Sequence, residues 1–160
     1  MLSQIQTLLR DTEGRYATDA ELQFLEDYSK GFPQRLRAYQ SLRKQERTLI
    51  QQAYNQLRKQ HPSLFPAGEK EALRKWQRDT IWVLRSSGVA MLLDDIDSLR
   101  DRLMLWFQTI MLAFGTQKIC YLTYGTLKDL APKIMGETEG ALLGEVLEVN
   151  RELFDLPDLE

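Results

Sequence analysis

The densest concentration of chemistry-bearing side chains lies between residues 74 and 85, Arg74-Lys75-Trp76-Gln77-Arg78-Asp79-Thr80-Ile81-Trp82-Val83-Leu84-Arg85. On a helix, Lys75, Arg78, Trp82 and Arg85, spaced by three, four and three residues, share one stripe, and Glu71 adds a negative charge one turn earlier. Two tryptophans with three arginines and an aspartate suit a planar, anionic ligand. The aromatic faces would cover it, the guanidiniums would hold its carboxylates, and Asp79 would accept from ring N–H groups. The same spacing also describes core tryptophans flanked by surface charge, and spacing alone leaves both readings open.

The rest of the chain offers little reactive chemistry. The single histidine, His61, precedes Pro62 in a loop and lacks an orienting partner. The single cysteine, Cys120, falls between Ile119 and Tyr121 in a helical stretch and reads as a small buried apolar residue. One His and one Cys exclude a His/Cys zinc site, which needs three or four ligands. They also leave Ser-His-Asp and Cys-His catalysis without support. The acidic run Asp94-Asp95-Ile96-Asp97 lacks the alternating oxygen ligands and terminal Glu of a calcium loop, and reads as helix capping. No glycine loop cradles a phosphate, and the basic residues around 35–47 alternate with Gln and Glu as on a solvated face. No catalytic residue and no metal ligand is assigned, and the expectation is a protein that is not an enzyme.

These residues must be positioned by helices. The 160 residues are 43% hydrophobic and 28% charged, with nine Gly and five Pro, a composition that buries one ordinary core in a single domain. Twenty-one Lys and Arg against 23 Asp and Glu give a net charge of −2, which disfavours nucleic acid as a partner. One cysteine fits a reducing compartment. The opening MLSQIQTLLRDTEGRY does not read as a secretion signal, and no 18-residue uncharged apolar run predicts membrane insertion. Ser3 is expected to cap a short helix carrying Ile5, Leu8 and Leu9 and ending near Gly14. Thr18-Asp19-Ala20-Glu21 is a capping box before the stripe Leu22, Leu25 and Tyr28, closed by Gly31. Pro33 suits the first turn of the next helix, to about Gln60. After the loop 61–68, helices are predicted over 69–93, 98–114, 116–135 (bent or weakened at Pro132) and 138–154, with Gly115 and Gly136 between them and a loose tail DLPDLE. No alternating strand pattern or repeat appears. The fold class is all-α, with seven to eight helices packed at steep, globin-like angles.

At the 74–85 segment the chain resembles the phycobiliprotein (phycobilisome protein) family. That family carries Cys-x-Arg-Asp and a Tyr-Tyr-Leu-Arg-like stretch on its long central helix, where this chain has Trp76-Gln77-Arg78-Asp79 and Trp82-Val83-Leu84-Arg85. Asp11-Thr12-Glu13-Gly14-Arg15-Tyr16, Glu21-Leu22, Arg35-Leu36-Arg37, Pro62, Asp95 and Phe114-Gly115-Thr116 also fall in step, so the resemblance spans about residues 5 to 154. It implies a globin-like fold with two extra N-terminal helices: an appendage over 1–31 that mediates dimerisation, and a core over 32–154.

The departure lies at Trp76, the position where the family attaches its linear tetrapyrrole (bilin) by a thioether. Tryptophan cannot form that bond, and Cys120 matches no attachment position. Arg78 and Asp79, which in the family contact a bilin propionate and the pyrrole nitrogens, are retained. The resemblance therefore implies no covalently bound cofactor. As the alternative it implies a non-covalent bilin carrier or sensor with a pocket of Trp76, Arg78, Asp79, Trp82 and Arg85. It is similar in this respect to the bilin biosynthesis-associated globins, a branch without antenna function. The implied role is interaction or regulation linked to bilin biosynthesis or phycobilisome assembly. The implied setting is the cytoplasm of a phototroph, at the thylakoid periphery if the protein joins phycobilisomes. A homodimer is implied through Asp11, Arg15, Tyr16, Leu22, Leu25 and Arg85, with Asp11 of one copy meeting Arg85 of the other. Phycobilisome or bilin-biosynthesis proteins are the other implied partners.

Overall fold

In the computed structural model, residues 1–65, 68 and 70–155 are described, and among them every regular element is helical. The elements are α1 (Leu2–Asp11), α2 (Asp19–Gln60), a 3₁₀ turn (Pro62–Leu64), α3 (Lys70–Leu93), α4 (Ile96–Leu99), a π turn (Arg100–Met104), α5 (Leu105–Ala113), α6 (Gln117–Met135) and α7 (Glu137–Glu152). Pro66, Ala67, Glu69 and the tail beyond Asp155 lie outside the described residues.

Helix α1 begins two residues earlier than expected, with Met1 rather than Ser3 at its N-cap position. Instead the Ser3 backbone N–H donates to Asp95 at 3.0 Å, and the Ser3 hydroxyl donates to the same carboxylate. The capping box at Thr18 is present as read. The Glu21 N–H donates to the Thr18 hydroxyl oxygen at 3.3 Å, and the Thr18 N–H donates to the Glu21 carboxylate at 2.8 Å.

The predicted break at Gly31 to Pro33 is absent: α2 runs unbroken for 42 residues with Pro33 inside it. Arg35 anchors the turn that precedes the proline. Its buried guanidinium donates to the Tyr28 carbonyl at 2.7 Å and to the Leu92 carbonyl at 3.3 Å. It also pairs with Asp94 at 3.6 Å and stacks over the Tyr28 ring at 4.5 Å. Pro33 withdraws the ladder donor of the Ser29 carbonyl, and the Arg35 contacts to Tyr28 and Leu92 tie that turn to the end of α3. Gly31 makes room, since a Cβ there would lie 2.4 Å from Arg35 Nη1.

The aspartates cap as expected. Asp94 adopts a left-handed φ of 51°, and the Asp95 N–H reaches back to the Ala90 carbonyl at 3.0 Å, closing α3. The Asp95 carboxylate then accepts from the Ser98 N–H at 3.3 Å and so starts α4. Burial opposes ionisation of Asp95, but hydrogen bonds from Ser3 and Ser98 and the N-terminal ammonium together hold its pKa below the ordinary value. The expected helix over 98–114 is one run interrupted by the π turn, and Gly115 (φ +64°) ends it.

The core collects one face of each long helix: Leu49, Ala53 and Leu57 from α2, Val83 and Leu84 from α3, Leu127 and Ala131 from α6, Leu143 and Leu147 from α7, with Phe154 closing over them. Each large side chain buried this way is worth about 1.5–3 kcal/mol. Val89, expected on the buried side, is exposed. Helices α6 and α7 form a tight hairpin in which a Cβ at Gly140 would lie 2.3 Å from the Pro132 backbone N, so only glycine fits there.

Candidate functional site

A cleft of about 740 Å³ opens between α3, α5, α6 and the turn after α2. Helix α3 contributes Trp76, Arg78 and Asp79, which sit within a single turn of its N-terminal half. Helix α5 supplies an apolar wall of Phe107, Ile110 and Met111, with Phe114 at its end. Helix α6 places Cys120, Thr123 and Tyr124 on the opposite side, and Phe65 closes the end nearest the turn. The volume lies within the usual 300–1,000 Å³ of small-molecule sites, and a mostly apolar lining with a few convergent polar groups is their usual chemistry.

Trp76 is fixed rather than free. Its Nε1–H donates to Thr123 Oγ1 at 2.9 Å, and its ring meets Phe65 edge-on at 5.4 Å and Tyr54 at 6.0 Å. Arg78 is 75% exposed at the side chain and pairs with Asp79 at 3.0 Å, so the cleft mouth presents a guanidinium beside a carboxylate that is 32% exposed. Both remain accessible to a ligand: the arginine to acidic groups, the aspartate to N–H donors.

Cys120 lies on a different helix from Trp76 yet lines the same cleft. Burial pushes its thiol up to about 12, the negative charge of Asp79 adds to the rise, and a hydrogen bond with Tyr124 opposes it. At neutral pH it is therefore a thiol without nucleophilic character. Burial raises the Tyr124 phenol well above its ordinary value, with Cys120 and Asp79 adding to the effect.

The predicted stripe divides along α3. Trp82 does not line the cleft. It is 44% exposed, meets Trp106 edge-on at 6.1 Å and Phe107 at 6.2 Å, and lines a separate groove of about 340 Å³ with Leu2, Val89, Leu93, Leu99, Arg102 and Leu103. Arg85 does not line the cleft either. Its guanidinium forks onto Glu46 of α2 at 2.7 and 2.8 Å, which raises the pKa of the arginine and lowers that of the glutamate. The reason is helix length. Seven residues from Arg78 to Arg85 advance about 10 Å along the axis, enough for one face to leave α6 and meet α2.

The N-terminal residues assigned to an interface are mostly exposed. Asp11 pairs with Arg10 at 2.9 Å. Arg15 forks onto Glu21 at 2.9 and 2.6 Å and supports the capping box. Tyr16 is 98% exposed, and Leu22 and Leu25 sit at 36% and 38%. No residue of α1 is buried, so the helix is held by its first turn and does not fold back on its own core.

Sequence reasoning missed Thr123, Tyr124, Phe65, the α5 wall and Glu46. The fifteen-residue stretch 103–117 without a charge was the visible signal for the wall. The Cys120/Tyr124 spacing of four places those two on one face of α6. Among the described residues, no group of three acids, histidines or cysteines is placed to hold a metal. Among them too, no helix is long and apolar enough to cross a membrane.

A family model described as "Phycobilisome protein" matches residues 7–153. The chain is similar to the allophycocyanin alpha-B chain of Pyropia yezoensis, with 36% identity over 93 residues, which cover 56% of this chain and 58% of that protein. It is also similar to the allophycocyanin alpha-B chain of Porphyra purpurea, with 28% identity over 148 residues, covering 89% of this chain and 91% of that one.

Proposed function

The chain belongs to the phycobilisome protein family, and from that premise we propose that it acts without a covalently attached bilin. Its role is non-enzymatic: interaction or regulation linked to bilin biosynthesis or phycobilisome assembly, in the cytoplasm or at the thylakoid periphery, as a homodimer.

The observation that carries this reading is Trp76. The position that would need a thiolate holds an indole, anchored to Thr123 and packed on Phe65. The one thiol in the cleft, Cys120, is protonated through the physiological range. The test is to supply bilin to the folded protein and then denature it. Pigment released on denaturation supports the reading, and pigment that stays with the unfolded chain overturns it.

A second reading is favoured by the open cleft: reversible, non-covalent bilin binding. The residues present suit such a ligand in type and place. Arg78 would hold a propionate, Asp79 would accept from pyrrole N–H groups, and the α5 wall would cover the apolar edge. The bilin would supply visible absorbance, while the protein would supply orientation and exclude water. Under this reading Asp79→Ala abolishes the absorbance and induced circular dichroism of added phycocyanobilin while the far-ultraviolet helical signal stays. Unchanged binding in that variant would remove Asp79 from the role.

A further inference from the structure

Seven of the chain's 21 Lys and Arg fall in residues 32–60, where the only acid is Glu46. The other 131 residues carry 14 cations against 22 acids, so a slight net negative charge hides a strong separation. Arg35 is buried. The six remaining cations, Arg37, Arg43, Lys44, Arg47, Arg58 and Lys59, are all exposed on α2.

The helix sorts them to one side. Steps of seven from Arg37 to Lys44, three to Arg47 and eleven to Arg58 return to nearly the same face, with Arg43 and Lys59 flanking that line. Leu42, Leu49, Ala53 and Leu57 are buried on the opposite face. The line runs along one unbroken helix and is about 32 Å long at 1.5 Å of rise per residue. Among the described residues none of the six makes an ion pair. Glu46 is occupied by the fork from Arg85, itself 67% exposed at the side chain, and Arg47 adds to the lowering of the Glu46 pKa.

Every exposed residue from 37 to 60 is Arg, Lys, Gln, Asn or Thr. The face therefore lacks the aromatic and aliphatic anchors that carry a tight protein interface. Neither the cleft nor the Trp82 groove reaches it, so it is no pocket for a small anion. A nucleic-acid duplex fits poorly, because its phosphates wind around the axis and a line this long crosses the grooves. A plane of anionic headgroups offers a partner beneath every cation at once and needs no apolar contact.

We propose that the outer face of α2 lays this chain on an anionic lipid surface, held by these six cations without insertion. The charge separation orients the chain on approach. The proposal goes beyond the role inferred above and rests on neither reading of the cleft, since none of the six cations lines it.

Co-sedimentation of the full chain with phosphatidylcholine vesicles, with and without about one-third phosphatidylglycerol, at about 0.1 M salt tests this. Binding is expected to the anionic vesicles alone and is expected to be lost at about 0.5 M salt. Arg43→Gln, Lys44→Gln and Arg47→Gln together are expected to lower the affinity about a hundredfold, and Arg58→Gln with Lys59→Gln about thirtyfold. Arg100→Gln, Arg102→Gln and Lys118→Gln remove as much charge from exposed positions off the stripe, and are expected to change the affinity less than about threefold. Far-ultraviolet circular dichroism checks the fold of each variant, and the exposure of every substituted residue makes folding the expected result. No binding to anionic vesicles at millimolar lipid overturns the proposal. So does an equal loss in the two triple variants, which would show a response to net charge, or tighter binding to a duplex oligonucleotide than to the vesicles.

Discussion

Trp76 shapes the cleft with a ring that is bonded at one end and packed at the other, which is why we propose that no pigment is attached there. Cys120 stands close by but is held as a neutral thiol, pushed up to about 12 chiefly by burial. Alkylation with iodoacetamide at pH 8 should therefore be at least about a hundredfold slower in the folded protein than in denaturant, since the thiolate is the nucleophile. Mass spectrometry of timed samples measures it, and equal rates would contradict the burial. Two carboxylates report on acid stability. Glu21, held down to about 2 by the Arg15 fork and then by Thr18, secures the start of α2. Glu148, held down to about 2 by Arg151 and then Lys128, links α6 to α7. Both folded-state pKa values lie below the unfolded value of 4.5, so their stabilisation is present above pH 4.5 and is lost as pH falls toward 2. Urea midpoints should hold from pH 7 to 5 and fall between about 4.5 and 2, and a midpoint flat to pH 2.5 would contradict these pairings.

At the scale of elements, local signals decided the ends of helices and distant contacts decided their continuity. The capping box at Thr18, the aspartates after α3 and the glycines at 115 and 136 are legible because each acts through its own backbone within a few residues. Pro33 misled for the opposite reason. The turn before it is tied to the end of α3 by Arg35, whose second anchor, the Leu92 carbonyl, is 57 positions away. Arg35→Ala should cost about 2–3 kcal/mol, since it removes the guanidinium's hydrogen bonds to the Tyr28 and Leu92 carbonyls and its packing on the Tyr28 ring. In a domain of this size that lowers Tm by about 4–12 °C, and an unchanged Tm would show that the Arg35 contacts do not hold this turn to α3. The stripe on α3 was legible as a stripe. Which neighbour each part of it meets was not, because Arg78 faces the cleft and Arg85 meets Glu46 of a helix that lies far away in sequence.

At the scale of the molecule, the all-α, globin-like fold of the phycobilisome protein family carries two surfaces of different character. One is a concave cleft with a guanidinium and a carboxylate at its mouth; the other is an apolar groove lined by the exposed Trp82, which the exposed Trp106 meets edge-on. The candidate site was half legible in the sequence. Trp76, Arg78 and Asp79 lie within four consecutive residues and were found together, whereas their α5 and α6 partners come from segments some 30 to 50 positions later. Trp82 was drawn into the same site by spacing on the helix, and tertiary packing turns it to the other surface. The central claim concerns the first surface: a family member whose pigment chemistry, if any, is reversible. Its most direct measurement is the visible absorbance of the chain after incubation with phycocyanobilin, followed by unfolding in acidic urea and size exclusion. The account predicts that all pigment separates from the denatured protein. A bilin absorbance that elutes with the unfolded chain would contradict it.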